Sequence, residues 1–113
     1  MHILFVYQYY HSPDCAASAR HYRFIEHLSR RHRVTVLTTS MWEGKRQTDA
    51  FPWIPSNVDL HAFDISYDNR MSSRARFASF LKFAGRAIAK GCTVARPDVI
   101  FGTSTPLTAA WAA

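Results

Sequence analysis

The sequence predicts a doubly wound α/β domain with a mostly parallel sheet, on three observations. Two runs, Ile3 to Tyr7 and Arg33 to Thr39, are apolar or β-branched apart from the opening Arg33, as strands buried on both faces are. A segment of helical periodicity separates them, and a second, longer one lies between the later runs Val58 to Phe63 and Val99 to Gly102. Hydrophobic residues make up 48% of the 113 and charged residues 19%, a composition that buries a core rather than staying disordered.

The elements follow in order. Ile3-Leu4-Phe5-Val6-Tyr7 is the first strand. The loop from Gln8 to Cys15 leads into a helix over about Ala16 to Arg31, with Asp14 as its N-cap. On that helix Ala17, His21, Phe24, Ile25 and Leu28 share the core face, and Arg30 and Arg31 suit the negative end of its dipole. Arg33 to Thr39 completes a β-α-β unit whose crossover is right-handed. Ser40 to Asn57, with Gly44, Pro52 and Pro55, reads as a long surface loop pinned by Phe51, Trp53 and Ile54. Val58 to Phe63 alternates apolar and polar, which places it near a sheet edge. Asp64 to Asn69 is a turn. A second helix runs from about Met71 to Val94, with Phe77, Phe80, Leu81, Ala84, Ile88, Cys92 and Ala95 as its core stripe, and Pro97 closes it. Val99 to Gly102 is the last strand. Pro106 then suits the first turn of a new helix, and the sequence reads as a fragment cut inside it.

One domain is what this length supports. The formal net charge of +6 points to an anionic partner. Cys15 and Cys92 stand far apart in no metal-like spacing and read as reduced thiols of a cytosolic protein. No basic and apolar leader opens the chain, and no run reaches the length of a membrane span. The six histidines form no metal-ligand spacing, so no metal site is expected. Neither a G-x-G-x-x-G fingerprint nor a Walker A lysine is present, which disfavours nicotinamide dehydrogenases and P-loop NTPases.

In open parallel sheets ligands bind beyond the carboxyl ends of the strands, where the strand order reverses. Two loops lie at such ends. Gln8 to Ala17 carries Tyr9, His11 and then Cys15-Ala16-Ala17 at a helix N-terminus, whose free N–H groups suit a phosphate. Gly102 to Thr105 carries three hydroxyls, Thr103, Ser104 and Thr105, which either cap the next helix or meet a sugar or phosphate. If the first and last strands are neighbours, the two loops flank one crevice. The second helix adds a charged face. From Arg70 to Arg96 there are seven basic residues and no acidic one. Arg76, Lys82, Arg86 and Lys90 gather opposite the core stripe with Phe83 beside them. That face is either simply solvated or contacts an anionic membrane surface, with Phe83 as a shallow anchor.

Three stretches carry a resemblance: Met1 to Tyr10 followed by Cys15-Ala16-Ala17-Ser18-Ala19-Arg20, then Leu28 to Thr38, then Arg96-Pro97-Asp98-Val99-Ile100-Phe101-Gly102-Thr103-Ser104-Thr105-Pro106-Leu107. In order and spacing they resemble the N-terminal domain of family 4 glycosyltransferases, bacterial members that build surface polysaccharides among them. The resemblance implies the incomplete N-terminal half of a GT-B fold, a Rossmann-like domain on the acceptor side, with the C-terminal donor-binding domain absent. It implies retaining transfer of a sugar from a nucleotide diphosphate donor, with no tightly bound cofactor and no essential metal. Cys15, Ala16 and Ala17 match the family's donor-diphosphate loop, where glycines are usual. Tyr9, His11, Thr103, Ser104 and Thr105 are then candidates for acceptor or sugar contact. The partners implied are a nucleotide sugar, an acceptor glycan or lipid-linked glycan, the missing domain and an anionic membrane surface, in a cytoplasmic or peripheral membrane protein. No catalytic residue is assigned, the family's further acceptor-side residues and C-terminal acidic motif fall beyond Ala113, and the fragment alone is expected to be inactive. A flavodoxin-like binding module without enzymatic activity and a basic nucleic-acid-binding α/β domain are the alternatives, although no stacking platform for nucleic acid accompanies the charge.

Overall fold

A computed structural model describes residues 1–8, 19–39, 41–42, 45–46, 57–65, 70–103 and 111–113. The elements are β1 (His2–Val6), α1 (Ala19–Ser29), β2 (Arg33–Thr39), β3 (Met41–Trp42), β4 (Lys45–Arg46), β5 (Val58–Phe63), α2 (Ser73–Gly91) and β6 (Val99–Gly102). Four strands form one parallel sheet in the order β5-β2-β1-β6. The described residues therefore form an α/β domain with an all-parallel main sheet and two long helices. As expected, the first and last strands are neighbours, and the alternating strand β5 stands at an edge. The stretch read as pure loop after β2 contains a difference. Met41 pairs with Arg46 and Trp42 with Lys45 in a small antiparallel ladder. Two residues separate β3 from β4 in the sequence, one of them Gly44, which is the spacing of a tight hairpin.

The core has two layers because β1 alternates. Leu4 and Val6 join Leu37, Ile65, Phe83 and Ala87 on the α2 side. Phe5 and Tyr7 join Ile25, Val34, Val36 and Val58 on the α1 side. Each large side chain so buried stabilises the fold by roughly 1.5–3 kcal/mol.

On α1 the buried anchor is Ile25, fully enclosed, with Tyr22 and Leu28 packed around it. Phe24, expected in the core, is 44% exposed. The helix ends without glycine: Ser29 donates its hydroxyl to Glu26 O, and the Asn57 amide donates to Ser29 O. These side chains and the 3₁₀-type bonds from Arg30 and Arg31 satisfy carbonyls that the last turn leaves open.

Of the expected stripe on α2, Ala84 is buried and Phe80 half-buried, but the rest is exposed. The buried residues are Ser79, Phe83, Ala84 and Ala87, whereas Phe77, Leu81 and Ile88 are exposed, as are Cys92 and Ala95. Among the small residues Ser79, Ala84 and Ala87 one large ring, Phe83, fills the space beside Phe63 with their centroids 6.1 Å apart. The helix begins at the N-cap Ser72, whose Oγ accepts from Ala75 N, and it stops at Gly91, three residues before the expected end.

A polar staple fixes the start of β6. His2 N donates to Asp98 Oδ2 at 2.6 Å, Asp98 N donates to His2 O at 2.8 Å, and the His2 ring reaches Thr35 Oγ1 at 2.8 Å. The short segment after α2 is thereby held against the first residue of β1.

Candidate functional site

The chain leaves β1 for β2 on one side and returns from β5 to β6 on the other, so the strand order reverses between β1 and β6. The carboxyl ends of these two strands are Val6, paired with Gly102, and the residues beyond them. There the polar groups are buried rather than exposed. Gln8, Thr38 and Thr39 are fully enclosed, and Thr103 is 8% exposed.

The hydrogen bonds explain this cluster in part. Gln8 O accepts from Thr38 Oγ1 at 3.2 Å, from Thr39 Oγ1 at 2.9 Å and from Thr39 N at 3.3 Å. Two hydroxyls of β2 thus lock the backbone where the chain leaves β1. Thr103 N donates to Val6 O at 3.3 Å and extends the ladder beyond β6. The Gln8 side chain is different: neither Oε1 nor Nε2 has a hydrogen-bond partner among the described residues. A buried amide in that state costs roughly 1–3 kcal/mol. It sits at the reversal of strand order, where open α/β sheets hold ligands.

Of the residues picked out in the sequence, Thr103 lies at this end of the sheet, buried beside β1. Tyr9, His11, Cys15, Ala16, Ala17, Ser104 and Thr105 lie outside the described residues, as does the N-cap Asp14. Sequence reasoning missed Gln8, Thr38 and Thr39. The signal was a polar residue ending an apolar run and a pair of threonines closing the next strand.

The basic face of α2 requires a correction. Phe83 is wholly buried in the core, so it is no surface anchor. Lys82 and Arg86 are exposed at the mouth of a cleft of about 350 Å³ that also includes Asp64, Met71 and Ser79. Arg76 and Lys90 are half-buried. The exposed apolar residues of α2 are Phe77, Leu81 and Ile88.

Near the start of α1, His21 lies beside Tyr7, with ring centroids 4.0 Å apart, and edge-on to Phe5 at 6.4 Å. Burial, with Arg20 adding to it, holds the His21 imidazole below the usual histidine range. No group of three metal-ligating side chains occurs among the described residues. No helix among them is long and apolar enough to cross a membrane.

No family model, curated protein or solved structure matches this chain. The functional reading therefore rests on the residues and the geometry.

Proposed function

We propose that this chain is the N-terminal, acceptor-side half of a retaining GT-B glycosyltransferase. The whole enzyme moves a sugar from a nucleotide diphosphate donor to a glycan or lipid-linked glycan, in surface polysaccharide or glycolipid synthesis. The observation that carries this reading is the parallel order β5-β2-β1-β6, which puts a reversal point between β1 and β6. That order is compatible with a Rossmann-like half-domain, in which the ligand crevice is expected at the ends of those two strands. Gln8, whose side-chain amide has no hydrogen-bond partner among the described residues, and Thr103 stand there. Amide and hydroxyl groups are suited to sugar hydroxyls, each of which both donates and accepts.

In this reading a second Rossmann-like half, outside the chain, holds the donor. The edge position of β6 fits a sheet that continues past it. Catalysis is then positioning of the acceptor and electrostatic stabilisation of the departing diphosphate at the interface of the halves. The cations of α2, with Phe77 and Leu81 as the apolar contact, provide a surface for an anionic membrane carrying a lipid-linked acceptor.

The test is titration of the isotope-labelled chain with acceptor glycans, nucleotide sugars and flavin mononucleotide, followed by amide chemical shifts. Acceptor glycans shift Tyr7, Gln8, Thr39 and Thr103, and the chain alone turns over no nucleotide sugar. A response of the same amides to the flavin alone assigns a flavodoxin-like binding module instead. Salt-sensitive DNA binding with no glycan response assigns a basic nucleic-acid domain. Turnover by the isolated chain refutes the half-enzyme reading.

A further inference from the structure

A second cleft, of about 530 Å³, opens on the flank of the domain between α1 and β6. Its lining residues are Arg20, His21, Arg23, Phe24, His27 and Phe101. They come from the side of α1 and from within β6, not from the carboxyl ends of the strands. Arg20, Arg23, Phe24 and His27 recur at i, i+3, i+4 and i+7, so they form one stripe along the helix. No carboxylate lines the cleft among the described residues. Glu26, on the same helix, pairs with Arg23 at 3.3 Å from outside the lining and leaves Arg20 without a carboxylate partner among the described residues.

The floor is aromatic. Phe101 stacks on Phe5 with centroids 4.5 Å apart and planes 15° apart, and Phe24 lies 5.6 Å from Phe101. Both lining rings remain open to solvent, Phe24 at 44% and Phe101 at 40%. An aromatic cluster begun in the core thus reaches the surface and ends beneath a basic rim. His21 Nδ1 is enclosed beside it, without a hydrogen-bond partner among the described residues.

We propose that this cleft binds a compact aryl phosphate, with its ring against Phe24 and Phe101 and its phosphate held by Arg20 and Arg23. Aromatic rings gain from offset or edge contact beyond the area they bury, and guanidinium–phosphate bonds are among the stronger hydrogen bonds in proteins. The volume falls within the usual range for small-molecule sites. A second copy of the chain suits the face poorly, because pairing two such stripes brings arginine against arginine. The proposal is independent of the glycosyltransferase reading, since it uses a different surface.

The experiment is a calorimetric and NMR titration with phenyl phosphate, inorganic phosphate and benzyl alcohol. Phenyl phosphate binds about tenfold more tightly than inorganic phosphate, and benzyl alcohol binds negligibly. The shifted amides cluster at residues 20–27 and at Phe101. The His21 imidazole, which faces Arg20 on its own helix and Phe5 and Tyr7 on β1, rises in pKa when the bound anion offsets Arg20. Phe24→Ala lowers phenyl phosphate to the level of inorganic phosphate, and Arg20→Ala weakens it about tenfold. Equal binding of the two phosphates by the unaltered chain overturns the proposal, and that comparison needs no variant to fold. Shifts confined to other basic surfaces overturn it too. So does a dimer in sedimentation that Phe101→Lys dissolves, which assigns the face to a second copy.

Discussion

The two helices bury themselves by opposite means. α1 sinks one aliphatic side chain, Ile25, and leaves an aromatic, Phe24, at the surface. α2 sinks one aromatic, Phe83, among Ser79, Ala84 and Ala87, and leaves Phe77, Leu81 and Ile88 outside. Both helices cover a parallel sheet, yet the rank of a residue by size predicts its burial on neither. The inner face of α2 is built from small residues around one large ring, that of α1 around one aliphatic side chain.

That contrast can be broken most directly at the two anchors. Phe83→Ala should cost about 3–5 kcal/mol, and Ile25→Ala about 2–5 kcal/mol, measured by chemical denaturation. A loss below about 1 kcal/mol at Phe83 would show that α2 is not seated through that ring. The next effect in size is at the start of α2, where Ser72→Ala should remove about 1 kcal/mol by deleting the cap on Ala75 N. The surface residue that periodicity placed inside gives the smaller number: Phe77→Ala should change stability by no more than about 0.5 kcal/mol. A cost similar to that of Phe83→Ala would restore the expected stripe.

The smallest effect is a change of slope. The folded state holds His21 below the ordinary value of 6.5, first through burial and then through Arg20. As pH falls the unfolded chain therefore takes up the proton first. Above pH 6.5 neither state is charged and His21 adds no pH dependence. Stability should decline as pH falls through 6.5 toward the folded value, and the penalty is complete below it. Thermal melts of the unaltered chain and of His21→Gln across pH 5 to 8 read the difference. Identical profiles would place His21 in an ordinary solvated environment.

The strands were legible because β1 and β2 are apolar on both faces, and a run that satisfies both layers leaves little choice of register. The alternation of Val58 to Phe63 also told its edge position correctly. The orientation of α2 was not legible. Its sequence holds two competing stripes, one of large residues and one of small residues around Phe83, and periodicity alone does not choose between them. The boundary at Gly91 was missed for a related reason, since Pro97 is the more visible stop signal but acts six residues later. The candidate site was half legible. The loops at the ends of β1 and β6 could be placed by topology, and Thr103 with them. Gln8, Thr38 and Thr39 could not, because a threonine in a strand looks like strand propensity until its hydroxyl is seen donating to Gln8 O.

The staple between His2 and Asp98 has a consequence in time. It joins groups 96 positions apart, and β6 lies against β1 from one end of the pairing to the other. While the chain is being made, β1 and β2 can meet early, but the other side of β1 has no mate until residue 98 and those after it have emerged. A hydrophobic strand with an open edge is a template for the wrong partner. The protein is thus most exposed to misassembly late in its synthesis, and Asp98, by catching the first residue of β1, closes that interval.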